Sequence, residues 1–204
     1  MVLTWRRAAS CALCLLAAEG RAAGQTYWEN GNFLRPTPKA GSFLVMDVGD
    51  RFGAWRVVGA SGSVAWVSGT YTRNGYSFPA QGTPSNSWVN LAAISQSATG
   101  IMHYGVATTV GQSYTLSFYV GNMYDPGGIY GVASTVAAYE NSTLLGTYTN
   151  ASKASPKTET WQQFSVSFLA DAPYTTIAFI NGDPPGDLDC GVDNVVFGPT
   201  GGTP

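Results

Sequence analysis

The sequence predicts an all-β fold, a jelly-roll β-sandwich of two antiparallel sheets. After residue 24 helical periodicity is almost absent, and short runs of alternating apolar and polar residues recur between Gly, Pro, Asn or Ser. Only 11% of the residues are charged and 13% are aromatic, a composition typical of a secreted all-β domain. A chain of 204 residues is long enough for one domain with a substantial core.

The first segment, residues 1–23, is predicted to be a secretory signal peptide. It combines a basic start, MVLTWRR, an apolar run, AASCALCLLAA, and small residues near a cleavage site at Ala22 or Gly24. The apolar run is shorter than the roughly 20 residues that a bilayer-spanning helix needs. We therefore expect a secreted protein, extracellular or periplasmic, with its domain at 24–198 and a flexible tail at 199–204. No later apolar segment is present, so no membrane anchor is expected.

Loss of the signal peptide changes the charge balance of the chain. The ten basic residues fall to seven without three arginines, and the twelve acidic residues fall to eleven without Glu19, which leaves a net charge of -4. A nucleic-acid partner is not expected, because phosphate binding needs clustered Lys and Arg. Cys190 remains as the last cysteine, so no intrachain disulfide can form and we predict a buried thiol.

About nine short strands are predicted between residues 54 and 199. The alternating runs are AWRVVGAS, GSVAWVSG, SWVNLAA, GIMHYGVATTV, QSYTLSFYVGN, ASTVAAYEN, LLGTYTN, TWQQFSVSFLA, TTIAFING and GVDNVVFGP. Trp66 and Trp88 lie within such runs and are predicted to be in the core. The stretch between them is rich in Gly, Pro and Asn, which predicts a long loop.

The sequence offers no recognisable catalytic constellation. His103 is the only histidine and lies within a predicted strand, without a nucleophile elbow anywhere for a Ser-His-Asp triad. One His and one Cys are too few for an ordinary zinc site, and no phosphate-binding loop occurs. Glu140 and Glu159 stand at strand ends, where solvated side chains are expected. We therefore expect a domain that is not an enzyme, although a pair of carboxyl groups as in glycan hydrolases stays open.

Aromatic residues in the predicted loops are the best candidates for ligand contacts. Aromatic faces stack on sugar C–H groups, and planar polar groups hydrogen-bond to hydroxyls. Two segments, WVSGTYTRNGYSFPAQGTPSNSW and GNMYDPGGIYG, supply both kinds of side chain. The candidate ligand-binding residues are Tyr71, Arg73, Asn74, Tyr76, Asn122, Tyr124 and Tyr130.

Several segments occur in an order that resembles a known family. NGNFLRP, GAWRVVGAS, GSVAWVSGTY, SWVNLA, TTVGQSYTLSFYVGN and DCGVDNVVF together cover most of residues 30–197. The chain resembles galactose-binding-domain-like secreted jelly rolls, namely the cell-wall domain-of-unknown-function group of plants and bacteria, and more distantly carbohydrate-binding modules. The resemblance implies a non-catalytic sandwich that binds a polysaccharide or other glycan. It also implies a structural calcium ion held by Asn30, Asn32 and Asp193, although Leu34 stands where relatives often have an acidic residue.

The acidic segment NGDPPGDLDCGVDNVVFGP is predicted to contain residues in different environments. Asp183 and Asp187 flank a Pro-Pro-Gly turn, so both are predicted to be solvated. Asp189 stays ambiguous, and Asp193 lies in a strand where a buried carboxylate needs a partner, either calcium or backbone N–H groups. The leading hypothesis is a secreted glycan-binding module. The alternatives are an extracellular structural or protein-interaction sandwich and, least favoured, a glycan hydrolase.

Overall fold

The computed structural model describes residues 29–82, 86–92 and 98–201. The predicted signal peptide lies outside this part of the chain. Fourteen strands and no helix occur among the described residues. They are β1 (Ser42–Asp47), β2 (Arg51–Phe52), β3 (Trp55–Val58), β4 (Ser63–Ser68), β5 (Tyr71–Arg73), β6 (Tyr76–Phe78), β7 (Ser87–Asn90), β8 (Gly100–Ala107), β9 (Ser113–Asn122), β10 (Ser134–Glu140), β11 (Thr143–Asn150), β12 (Thr160–Leu169), β13 (Tyr174–Asn181) and β14 (Gly191–Pro199).

The strands form two six-stranded sheets and one small hairpin. Sheet A has the order β1-β4-β7-β14-β9-β12, sheet B has the order β11-β10-β13-β8-β3-β2, and β5 pairs with β6. Neighbouring strands run antiparallel in all three. The predicted all-β sandwich of two antiparallel sheets is therefore confirmed.

The main core lies between the two sheets and follows the alternation of the sequence. Phe118 of sheet A and Phe179 of sheet B are both fully buried, with ring centroids 4.8 Å apart. Phe52 and Trp66 make a second contact across the sheets at 5.2 Å. Each buried aromatic ring removes a large apolar area from water, so these cross-sheet contacts hold the layers together.

Sheet A is also covered on its outer face, which the alternation of the sequence did not indicate. Strands β4 and β7 are buried at every position. In β4 Val64 and Trp66 face the main core, whereas Ala65 and Val67 pack in a second cluster with Phe78 and other residues. The β5–β6 hairpin and the loops around residues 123–131 and 188 supply further members of this cluster, and Phe43, Trp88 and Trp161 of sheet A complete its floor. Trp66 and Trp88 are both buried as predicted, but Trp88 belongs to the second cluster.

The β5–β6 hairpin stands where the sequence predicted a long loop. Its turn is Asn74–Gly75, with φ angles of 50° and 81°. Two successive residues with positive φ form the hairpin turn that Asn-Gly favours, because its twist matches that of the flanking strands. The prediction of a loop was therefore wrong here, and the Asn-Gly dipeptide was the signal for the hairpin.

Cys190 is fully buried, as predicted, and its Sγ lies 3.4 Å from the carbonyl oxygen of Thr135. No helix in the described residues has the length and apolar character that crossing a bilayer requires.

Candidate functional site

A cleft of about 370 Å³, which we call the outer cleft, lies on the outer side of sheet A. It is bordered by the tip of the β5–β6 hairpin, the loop after β9 and the loop before β14. Its lining residues are Arg73, Asn74, Tyr76, Gly128, Ile129, Tyr130 and Leu188.

The aromatic wall of the outer cleft is fixed by contacts between the hairpin and the loop after β9. The ring of Tyr130 packs edge-on against Tyr76 and Phe78, with centroids 4.9 and 5.1 Å away. The hydroxyl of Tyr76 donates a hydrogen bond of 2.9 Å to Oδ1 of Asp125. The backbone N–H of Asp125 in turn donates a hydrogen bond to the backbone carbonyl of Gly131. The two sides of the wall therefore hold each other in place, and the hydrogen bond to Asp125 raises the pKa of Tyr76.

A smaller cavity of about 70 Å³, the inner cavity, adjoins the outer cleft. The two share Arg73, Tyr130 and Leu188 as lining residues. The inner cavity reaches down to the strands of sheet A, and most of its walls are apolar. Its remaining lining residues are Phe43, Ala65, Val67, Tyr71, Phe78, Trp88 and Asn90.

The structure brings together five of the seven residues that the sequence singled out as ligand candidates. Arg73 and Tyr130 line both cavities, Tyr71 lines the inner cavity, and Asn74 and Tyr76 line the outer cleft. The sequence analysis missed Leu188 and Ile129, which lie in loops without an aromatic or planar polar signal.

Asn122 and Tyr124 lie away from both cavities. Asn122 is fully buried, where its amide donates to the carbonyl of Ser152 and its Oδ1 accepts from Ser134 Oγ. It therefore joins loops to the sandwich instead of facing a ligand. Tyr124 is half-buried, with Lys153 Nζ 5.9 Å from the centre of its ring.

Three buried acidic residues, Glu159, Asp189 and Asp193, lie close enough to one another for their charges to interact. Asn90, which lines the inner cavity, donates to Oδ1 of Asp189 at 3.3 Å. The backbone N–H of Met123 donates to Oδ2 of Asp189 at 2.7 Å. Asp193 accepts backbone N–H groups of Asn194 at 2.6 Å and Gln81 at 3.2 Å.

Glu159 is the exception in this group, because neither of its carboxylate oxygens has a hydrogen-bond partner. Its side chain occupies the space above two paired glycines, Gly121 and Gly191, where a Cβ at either position would overlap Oε1. The absence of side chains at both glycines is what makes room for a buried carboxyl group.

Burial shifts the ionisation of all three groups in the same direction. It raises the pKa of Asp189 to about 8. Burial, followed by the nearby Asp189 and Asp193, raises the pKa of Glu159 well above its usual range. Burial also raises the pKa of Asp193 strongly, against the opposing effect of its two backbone hydrogen bonds. A carboxyl group in low dielectric is favoured in its neutral form, so the cluster holds protons that solvated carboxyl groups would release.

These observations correct the expectations for four acidic residues. Glu140, at the end of β10, and Glu159, just before β12, were expected to be solvated, but they are only 4% and 3% exposed. Asp183 was also expected to be solvated, but it is half-buried and accepts a hydrogen bond of 2.5 Å from Thr135 N. Burial raises its pKa to about 7. Asp187 is half-buried as well.

The residues proposed to hold calcium do not fit a calcium cage. Calcium prefers six to eight oxygen ligands. Oδ1 of Asn30 accepts the backbone N–H of Arg35 at 2.7 Å, and Asn32 is exposed, whereas Asp193 is fully buried with both oxygens engaged by N–H groups. Within the described ranges no group of three His, Cys, Asp or Glu side chains could hold a metal ion. The N-terminal segment does reach the last strand, but through a backbone bond from Val195 N to Gly31 O.

His103 is buried in β8, with its ring packed edge-on against Trp55 at 5.1 Å. Burial lowers its pKa to about 4, so the imidazole is neutral at physiological pH. It lies on sheet B and lines neither cavity.

Comparisons with known proteins relate this chain to others through its fold. Neither a protein-family model nor a curated protein sequence matches the chain. A Stig cyclase, Fisc from Fischerella sp. TAU, solved with an indole-containing ligand, is 18% identical, with a TM-score of 0.58 over 87% of this chain and 98% of the cyclase. A second cyclase from Fischerella sp. TAU, solved with 4-(1H-indol-3-yl)butan-2-one, is 19% identical, with a TM-score of 0.51 over 82% of this chain and 93% of that chain.

An adhesin domain of Lys-gingipain from Porphyromonas gingivalis W83 has a similar fold. It is 16% identical, with a TM-score of 0.52, and the match covers 79% of this chain and all of the adhesin domain. At these identities the similarity concerns the β-sandwich itself.

The expectation of a domain that is not an enzyme is corrected by these comparisons. Sandwiches of this architecture include cyclases solved with bound small molecules, so the fold gives no ground for excluding catalysis. The exclusion had also assumed that Glu140 and Glu159 are solvated, whereas both are buried and burial raises the pKa of each. Chains of this fold thus serve as cyclases and as an adhesin domain.

Proposed function

We propose that the outer cleft binds a carbohydrate, and that the protein acts through recognition of a glycan at this face of sheet A. The observation that carries the proposal is the convergence of Tyr76, Tyr130, Arg73 and Asn74 on one cleft. These four side chains come from two segments more than fifty positions apart in the chain. The fold brings them together on one concave surface.

The chemistry of the cleft suits a sugar ring. Tyr76 and Tyr130 present aromatic surface, which packs against the C–H groups of a pyranose. Arg73 and Asn74 are exposed and supply planar N–H donors and an amide oxygen for hydroxyl groups. A volume of about 370 Å³ lies within the range of roughly 300–1,000 Å³ found for small-molecule sites.

The wall of the cleft is held in place by contacts within the protein. Tyr76 is held by the hydrogen bond to Asp125 and by its ring contact with Tyr130. A preorganised wall loses little side-chain entropy when a ligand binds, which favours recognition.

The exposed apolar side chains give less support to a protein-interaction surface. Leu44, Leu144, Leu169 and Tyr174 are each about half exposed or more, but they belong to four different strands, β1, β11, β12 and β13. β1 and β12 are the two opposite edges of sheet A, and β11 is an edge of sheet B. Single apolar residues spread in this way are normal for a protein surface. The concave aromatic cleft is the feature that needs a ligand to explain it.

The test is a binding titration with a panel of neutral oligosaccharides, using the wild-type chain and two variants of exposed cleft residues. Arg73→Ala removes the guanidinium group, and Asn74→Gly removes the amide while retaining a residue that tolerates the φ of 50°. We expect each variant to lose about ten-fold in affinity, which corresponds to about 1.4 kcal/mol.

Tyr174→Ala is the matched control, because Tyr174 is 62% exposed on sheet B, away from both cavities. It should bind like the wild type. Absence of binding to every oligosaccharide, or equal binding by all four proteins, would refute the proposal.

A further inference from the structure

Arg73 brings a positive charge without an ionic partner to the outer cleft. Among the described residues that line the outer cleft and the inner cavity, it is the only one whose side chain is charged, and it lines both. Its side chain is exposed, and no carboxylate in the described part of the chain forms an ion pair with it. The charge acts within the site, because burial raises the pKa of Tyr130 and Arg73 opposes this effect.

A second positive charge lies beside the aromatic wall of the outer cleft. The Nζ atom of Lys157 is 5.5 Å from the centre of the Tyr76 ring. The backbone of Lys157 is tied to the hairpin, since its carbonyl oxygen accepts the N–H of Ser77 at 2.9 Å. Charges act over about 8 Å at physiological salt, so this ammonium group adds to the positive potential at the wall.

The nearby carboxylate of Asp125 is kept behind this wall. Asp125 is 7% exposed, and its Oδ1 accepts the hydrogen bond from the Tyr76 hydroxyl. Its Oδ2 is buried and occupies the space that a Cβ at Gly128 would take. Asp125 lines neither cavity. A ligand in the outer cleft therefore meets the cation of Arg73 and not this carboxylate.

The two acidic residues of the loop before β14 are also no obstacle to an anion. The carboxyl group of Asp187 packs against Gly131, and neither residue lines a cavity. Burial raises the pKa of Asp189 to about 8, so this group is mainly neutral at pH 7. The local charge of the outer cleft is therefore positive in a chain whose expected net charge is negative.

The hairpin register places the guanidinium group next to an aromatic ring. Arg73 and Tyr76 are directly opposite each other across the β5–β6 pair, and such cross-strand neighbours have Cβ atoms about 5 Å apart on the same face. A pyranose ring against Tyr76 therefore has its edge at Arg73. The planar fork of N–H donors on Arg matches the two oxygens of a carboxylate, which a uronic acid carries on the edge of its ring.

We propose that the outer cleft binds a uronic acid unit of an acidic glycan, with its ring against Tyr76 and its carboxylate held by Arg73. The inference rests on the proposed glycan binding and specifies its ligand class.

The test compares glycans that differ in the carboxyl group alone. Oligomannuronate, oligoguluronate and oligogalacturonate are each titrated against the full chain, together with the same oligomer after reduction of its carboxyl groups to primary alcohols. Reduction keeps the ring and the linkage and removes the charge. We expect the acidic member of at least one pair to bind about ten-fold more tightly, while its reduced counterpart still binds measurably.

A further pair distinguishes carboxylates from sulfate esters as the recognised anion. Carrageenan oligosaccharides are titrated before and after desulfation. We expect a smaller preference for the charged member here than in the best uronate pair, because a sulfate ester lacks the planar shape that matches the guanidinium fork. A larger preference for the sulfated member overturns the assignment to uronic acids.

Arg73→Gln keeps planar N–H donors and removes the charge. It should reduce the preference for the acidic glycan to about two-fold or less. Arg56→Gln is the matched control, because it removes the same charge from an exposed position on β3 of sheet B that lines neither cavity. This control should keep the full preference of the wild type.

The possible failures are distinguishable. Equal binding of acidic and reduced glycans by the wild type overturns this inference and leaves the proposed function intact. A preference that survives in Arg73→Gln, or that is lost equally in Arg56→Gln, also overturns it. Absence of binding to any glycan, acidic or neutral, overturns the proposed function and this inference together.

Discussion

Replacing Glu159 by glutamine should change how the stability of the protein depends on pH. Glu159 is 3% exposed, neither of its oxygens has a hydrogen-bond partner, and burial raises its pKa well above the ordinary value of 4.5. The folded protein therefore retains a proton that the unfolded chain releases above pH 4.5. Since the unfolded state then binds fewer protons, the free energy of unfolding falls as the pH rises above 4.5, until it passes the folded pKa.

The size of the effect follows from the proton linkage. Well above the unfolded pKa, each further pH unit in this window lowers the free energy of unfolding by about 1.4 kcal/mol. At pH 4.5 the carboxyl group of the unfolded chain is half ionised, so between pH 4.5 and 6.5 its ionisation lowers the stability of the wild type by about 2 kcal/mol. Glutamine has no such proton to lose. Its amide leaves buried N–H groups without partners, at a cost of roughly 1–3 kcal/mol that is the same at both pH values.

The assay is urea-induced unfolding of the wild type and Glu159→Gln at several pH values from 4.5 to 6.5. We expect the variant to be less stable than the wild type at pH 4.5, and we expect this difference to shrink by about 2 kcal/mol by pH 6.5. Asp47→Asn, which removes an exposed carboxylate, is the control for changes in net charge. A difference between variant and wild type that is independent of pH would refute the argument, because it would mean that Glu159 ionises alike in the folded and unfolded states.

Three further variants test the packing described above. In Gly100→Ala the new Cβ overlaps the carbonyl oxygen of Phe179 in the paired strand. A urea titration should show that the free energy of unfolding falls by about 2 kcal/mol or more. An unchanged midpoint would contradict the tight approach of β8 and β13. Phe118→Ala opens a cavity where the ring meets that of Phe179, with centroids 4.8 Å apart. The free energy of unfolding should fall by about 3–5 kcal/mol in the same assay. A decrease below about 1 kcal/mol would show that the sheets pack differently. Asn74→Val places a β-branched residue at a φ of 50° and should weaken oligosaccharide binding by about ten-fold or more. The same strain should lower the urea midpoint, because the hairpin packs in the second cluster; unchanged binding would show that the turn does not shape the cleft.

The alternation of the sequence predicted the inner face of each sheet well. Residues such as Leu116, Phe118 and Val120 face the main core because side chains of a strand alternate between its two faces. The same pattern could not show whether the opposite face meets water or a second layer. Trp88 and Glu159 both lie on the outer face of sheet A, and their burial depends on a hairpin and loops that come from distant parts of the chain.

The candidate site was predictable where residue type alone carried the signal. Aromatic side chains in segments rich in Gly, Pro and Asn have few structural explanations, so the tyrosines there were ligand candidates, although Tyr71 and Tyr76 lie in the strands of the hairpin. The buried acidic group was not predictable in this way, because Gly121 and Gly191 make room for Glu159 only once β9 and β14 are paired. Nothing local in the sequence around Glu159 distinguishes it from a solvated residue at a strand end.

The tip of the β5–β6 hairpin can vary independently of the two large sheets. The strands of the hairpin pair with each other, and its base is tied to sheet A by Phe78 in the second cluster and by backbone bonds such as Ser77 N to Lys157 O, whereas its tip is exposed. Insertions or substitutions at its tip, near Asn74 and Gly75, can reshape the wall of the cleft without disturbing the pairing of either large sheet. A scaffold built in this way can acquire new ligands by changing a short segment, so library diversification for new binding specificities should begin at this hairpin.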